Sequence, residues 1–81
     1  MINILLNTVD SVKKFANVTL RCKGDVTVKS AANTSGVEYV VDGKSLLGLF
    51  SLNLSEPVKV EFSNFTDEQL VCREMGMNEY D

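Results

Sequence analysis

Asp42-Gly43-Lys44-Ser45-Leu46-Leu47-Gly48-Leu49-Phe50-Ser51-Leu52-Asn53-Leu54 is the stretch around which the chain is organised. Asp-Gly is a turn signal, and Ser45 stands where a helix N-cap belongs, before a run of good helix formers. Asn53, Ser55 and Pro57 stop that run, so the spacing predicts a helix of about two turns from Ser45 to Leu52. Its apolar residues do not fit one stripe. Ser45, Leu49 and Leu52 share a face at i, i+4 and i+7, while Leu46, Leu47 and Phe50 lie on another. Such a helix is either buried all round or carries an exposed apolar patch. A domain of 81 residues has little room for the first arrangement, which favours the patch.

Outward from this helix the signals alternate. Before it, Val37, Tyr39 and Val41 alternate with Glu38, Val40 and Asp42, a strand whose apolar residues face the core. Asp25 to Ser30 reads as another strand, with Val26 and Val28 inward. The small, polar loop from Ala31 to Gly36 makes these two an antiparallel hairpin. Ile2, Ile4 and Leu6 alternate with Asn3, Leu5 and Asn7 in a first strand. Val12, Phe15, Ala16 and Leu20 form the apolar face of a helix from about Ser11 to Cys22. Asp10 or Ser11 is placed to cap it, Lys13, Lys14, Asn17 and Arg21 point away, and Gly24 is placed to stop it.

After the Ser45 helix, Pro57 opens a fourth strand with Val58, Val60 and Phe62 inward. Thr66-Asp67-Glu68-Gln69 has the pattern of a Thr-x-x-Gln capping box, and Phe65 with Leu70 that of a hydrophobic staple. Gly76 reads as the last helix's stop and Met77 to Asp81 as a tail. The order is β-α-β-β-α-β-α. Each strand has one apolar and one mostly polar face, so one sheet face should be wet with the helices all on the other, and the expected fold is α+β: an open-faced sandwich.

Composition bounds the function. Hydrophobic residues are 44% and charged residues 23%, as in a globular single domain spanning residues 1–81. A net charge of −3 and a pI of about 4.8 disfavour nucleic acid and an anionic membrane surface. No apolar run approaches about 18 residues, and Ile2 to Asn7 is too short for a signal-peptide core, so a cytoplasmic location is expected. No histidine is present. Cys22 and Cys72 lack metal-ligand spacing, so no metal or cofactor is expected. They read as two free thiols, with a disulfide as the alternative. Neither has a histidine or other base to serve a nucleophile, which weighs against an enzyme or carrier built on them.

Gly43-Lys44-Ser45-Leu46-Leu47-Gly48-Leu49-Phe50-Ser51-Leu52 resembles the regulatory-serine helix of the histidine-containing phosphocarrier (HPr) family of the bacterial sugar phosphotransferase system. In that family a Lys-Ser pair opens the second helix, an aliphatic patch follows, and a Ser-Leu pair sits near the end. The resemblance runs from about Phe15 to Gln69, supported by Asp25-Val26-Thr27-Val28-Lys29-Ser30 and by Asp67-Glu68-Gln69. It implies the same element order and a four-stranded antiparallel sheet with three helices on one face, with Leu49 and Leu52 in the core and Leu46, Leu47 and Phe50 in a docking patch beside Lys44.

The first loop departs from that pattern. The family carries Gly-x-His-x-Arg-Pro there, and its histidine takes the phosphoryl group. This chain has Asn7-Thr8-Val9-Asp10-Ser11, with Thr8 where the histidine would fall and Asp10 where the arginine would. Thr8 lacks a nitrogen nucleophile, and a carboxylate repels a phosphoryl group. The loop of Thr8, Asp10 and Ser11 therefore reads as a degenerate active site, and phosphocarrier catalysis is not expected.

The retained part resembles relatives that keep only the serine. Those imply phosphorylation of Ser45 by a serine kinase and binding to phosphotransferase components or a catabolite-control repressor. The alternatives are a divergent phosphocarrier or an interaction domain with Ser45 as a plain N-cap. The patch could also serve a weak homodimer in a chain otherwise monomeric.

Overall fold

Alternating β-branched residues commit each strand to burying one face, and the cross-strand register adds those faces together. A computed structural model describes residues 1–30 and 38–76. The elements are β1 (Ile2–Ile4), α1 (Val9–Thr19), β2 (Val26–Lys29), β3 (Val40–Asp42), α2 (Leu46–Phe50), β4 (Val58–Phe62) and α3 (Phe65–Glu74). The expected loop from Ala31 to Gly36, Val37 and the tail from Met77 lie outside the described residues.

The strands form one sheet in the order β1-β4-β2-β3, and every neighbouring pair is antiparallel. One row crosses the whole sheet: Ile2 opposite Val60, Val60 opposite Val28, and Val28 opposite Val41. Ile2, Val60 and Val28 share a buried cluster with Val12, Phe15 and Ala16 of α1, Leu49 of α2 and Val71 of α3, and half-buried Val41 packs against it. The opposite face exposes Asn3 and Lys59 and carries an ion pair between Lys29 and Glu61 at 3.2 Å. The fold is thus α+β, a four-stranded antiparallel open sheet with three helices.

The helix starts differ from the sequence reading. α1 is capped by Thr8 rather than by Asp10 or Ser11. The Thr8 hydroxyl accepts the Ser11 N–H at 3.0 Å, and the Ser11 hydroxyl accepts the Thr8 N–H at 3.1 Å. This is a capping box with serine in the third helical position. α1 ends at Thr19, where Arg21 N–H to Val18 carbonyl and Cys22 N–H to Thr19 carbonyl bonds, both 3.0 Å, tighten the last turn. Thr19 and Val18 are buried, whereas Leu20, expected in the core, is 63% exposed. Tyr39 was expected inward and is exposed; its carbonyl accepts the Ser30 N–H at 2.9 Å just before β3 begins at Val40.

Asn64, not Thr66, caps α3: its side-chain oxygen accepts the Asp67 N–H at 2.8 Å. Thr66 is an exposed residue of the first turn, and Phe65 opens the helix instead of preceding the cap, so the staple positions do not apply. The reason is Asp67. Its buried carboxylate accepts the Gly24 N–H at 2.8 Å, the Lys23 N–H at 3.1 Å and the Asn64 amide at 2.9 Å. These bonds require Asp67 at the third helical position, facing the α1–β2 connection. The Gly24 amide foremost, with the Lys23 amide and Asn64, holds the Asp67 carboxyl below its ordinary 3.8. At the far end Gly76 takes a left-handed φ of 72° just past Met75, as its position suggested.

Two predictions follow from these caps. Asn64→Ala should cost about 1 kcal/mol in urea unfolding, whereas Thr66→Ala should stay within about 0.5 kcal/mol. Because Asp67 is more acidic folded than unfolded, its contribution is complete above the ordinary carboxylate range and is lost as the pH falls below 3.8. The difference in urea midpoint between wild type and Asp67→Asn should be large at neutral pH and shrink as the pH falls below 3.8.

Candidate protein-docking site

The turn before α2 fixes where the helix begins. The Asp42 carboxylate accepts the Lys44 N–H at 2.9 Å, and the Asp42 carbonyl accepts the Ser45 N–H at 3.0 Å. Ser45, with extended backbone, then caps α2 as expected: its hydroxyl accepts the Gly48 N–H at 3.1 Å, and its carbonyl accepts the Leu49 N–H at 3.0 Å. Leu49 and Leu52 enter the core. Leu46, Phe50 and Leu47 are 39%, 43% and 84% exposed. That gradient follows their angular distance from Leu49 around the helix, at about 100° per residue. The two-faced reading of this helix is therefore what the fold contains.

Beside the patch, α1 and α2 enclose an open groove of about 300 Å³ lined by Lys13, Ala16, Asn17, Leu20, Lys44 and Leu46. Lys13, Ala16 and Asn17 of α1 and Leu20 just past its end fall at i, i+3, i+4 and i+7, one continuous stripe. Leu20 and Leu46 supply its apolar surface and Lys13 and Lys44 its charge; none of the six side chains is acidic. The Lys44 ammonium donates to the Cys22 carbonyl at 3.2 Å, which places it at the negative C-terminal end of α1. Leu47 and Phe50 are not part of the groove wall and extend the apolar exposure along α2.

The sequence reading missed Leu20, Ala16, Lys13 and Asn17 as site residues. The stripe Lys13-Ala16-Asn17-Leu20 was available, but Leu20 was assigned to the core by counting four residues on from Ala16.

In the first loop, two backbone N–H groups are taken by the loop's own side chains. The reciprocal bonds of Thr8 and Ser11 occupy the Ser11 and Thr8 N–H groups, and the Ser11 hydroxyl also donates to the Thr8 carbonyl at 2.8 Å. Asp10 adds a carboxylate in the first turn, which meets the positive helix end that a phosphoryl group would otherwise find. Both cysteines are free and buried. Burial, and after it the charge of Asp67, pushes the Cys22 thiol up, away from the reactive thiolate. Among the described residues no group of three potential ligands could hold a metal ion, and no helix is long and apolar enough to cross a membrane.

No family model, curated protein or solved structure matches the chain.

The two faces of α2 should separate energetically. Leu49→Ala should lower unfolding stability by about 2–5 kcal/mol through lost burial and the cavity left behind. Leu46→Ala and Leu47→Ala should each cost less than about 1 kcal/mol. Chemical-denaturation midpoints of the three variants measure the order.

Proposed function

We propose that the chain is a non-catalytic protein-docking module of the phosphocarrier-like kind its sequence resembles, receiving a partner across α2 and the adjoining α1–α2 groove. The observation that carries this reading is the exposure of Leu46, Leu47 and Phe50 on a helix whose other face already fills the core. An aromatic side chain flanked by leucines is the kind of anchor that dominates interface energetics. The local charge defines the partner. The chain carries −3 overall, yet the groove presents Lys13 and Lys44 beside Leu20 and Leu46. The fitting occupant is an acidic segment with an apolar anchor.

Ser45 stands at the edge of this surface, exposed and next to Lys44. A phosphate there adds about −1.5 to −2 charges, neutralises the basic rim and converts an acidic partner's site into one for arginine-bearing partners. By the resemblance, those partners are phosphotransferase components, a serine kinase and a catabolite-control repressor in the cytoplasm. A second reading keeps the surface and omits the modification, because the Ser45 hydroxyl already serves α2 as its cap.

Panning a random-peptide library on the immobilised protein tests the docking reading. Acidic sequences with a leucine or aromatic anchor should be enriched. They should shift the amide resonances of Leu20, Leu46, Leu47 and Phe50, and bind Phe50→Ala about tenfold more weakly. A basic consensus, no enrichment, or undiminished binding to folded Phe50→Ala overturns it.

A further inference from the structure

We propose that Thr19 is the positioning residue of this surface, setting the pose of α2 against α1; the inference rests on the docking reading above. α2 has five residues and a single buried side chain, Leu49. A helix so short has almost no stability of its own. Leu49 in the helix and Leu52 just beyond it set the depth and the general facing of α2. The finer pose, which decides how Leu46, Leu47 and Phe50 meet the groove, depends on how the turn before the helix is held.

Thr19 is fully buried on the core side of α1, where the helical pattern calls for an apolar residue. Its hydroxyl lies 2.9 Å from the Ala16 carbonyl, an ordinary contact within the helix, and 2.8 Å from the Gly43 carbonyl, 24 positions away. The second contact joins α1 to the turn that leads into α2. Gly43 is pressed onto the sheet on its other side. Its N–H donates to the Val26 carbonyl at 2.7 Å, and a Cβ at this position would stand 2.7 Å from Val26 Cγ1 and 3.2 Å from the Val26 carbonyl oxygen. Only glycine lets the turn lie that close, and only then does its carbonyl meet Thr19.

The turn is thereby held between the sheet and α1, two residues before the cap of α2. The bond from Lys44 to Cys22 links the same elements, but through a long, flexible and partly exposed stem. The Thr19 contact is short-stemmed and buried, conditions under which removing the donor costs the Gly43 carbonyl most.

Thr19→Val keeps the shape and removes the hydroxyl, Thr19→Ser keeps the hydroxyl, and Ile4→Val on β1 provides a mild core loss elsewhere. Amide hydrogen exchange and titration with anilinonaphthalene sulfonate, an apolar anion suited to a groove with a basic rim, read the result. Thr19→Val should speed exchange at Gly48 and Leu49 about fivefold relative to the amides of β2 and β4, the equivalent of roughly one neutral hydrogen bond. It should also weaken binding of the anion by a similar factor. Thr19→Ser and Ile4→Val should stay within about twofold of wild type in both, the span left by an undisturbed bond.

Exchange that rises equally in α2 and the sheet overturns the proposal, as does a Thr19→Ser variant that behaves like Thr19→Val. If α2 loosens in Thr19→Val while the anion binds as before, Thr19's hold on α2 stands and the docking reading beneath it fails.

Discussion

The pairing of β2 with β4 is the constraint to which the rest of the structure answers. It sets Val28 opposite Val60 and Val26 opposite Phe62, joining segments between which β3 and α2 intervene. Closing that span costs chain entropy before any contact compensates it. The compensation comes from the buried row that runs on to Ile2 and Val41 at the two edges. Once the row exists, only one face of the sheet is apolar, and every helix must lie where it can cover that face. α1 does so with Val12, Phe15 and Ala16, α3 with Val71 and Cys72. α2 reaches it with Leu49, and Leu52 follows just beyond the helix end.

How much of this was legible in the residues depends on how local each signal is. The element order, the inward residues of β1, β2 and β4, and the two faces of α2 follow from periodicity and survive intact. The caps do not, because capping is decided by tertiary demand among several competent residues. Thr8, Asp10 and Ser11 are each good caps; Thr8 wins because Ser11 at the third helical position can return its bond. Asn64 prevails over Thr66 because Asp67 must face the Lys23 and Gly24 amides, a contact more than forty positions away in sequence. Leu20 escaped for a related reason: an ideal 3.6-residue period was extended past Thr19, where the backbone tightens and the helix ends.

Net charge is a poor guide to the charge at this surface. The chain is acidic as a whole, but several of its carboxylates are committed to the fold. Asp67 binds backbone amides, Asp42 holds the turn before α2, and Glu74 is paired with Arg21 at 2.7 Å. Glu61 is paired with Lys29 on the far face of the sheet. What remains at the α1–α2 groove is positive. Screening limits a charge's reach to roughly 10 Å at moderate salt, so the local arrangement outweighs the total.

The exposed leucines are not an accident of how α2 happens to sit. Burying a leucine or phenylalanine side chain is worth about 1.5–3 kcal/mol, a large fraction of the roughly 5–15 kcal/mol that holds a domain together. An 81-residue chain has every reason to bury Leu46 and Phe50 if it can. Turning α2 by one residue's step, about 100°, would bring both inward. The same turn would carry Leu49 off the core centre and Leu52 out, exchanging one apolar pair for another. No rotation buries all five large apolar side chains between Leu46 and Leu52, because together they surround most of the helix. The surplus is written into the sequence: whichever way α2 turns, part of its apolar surface stays outside the chain's own core.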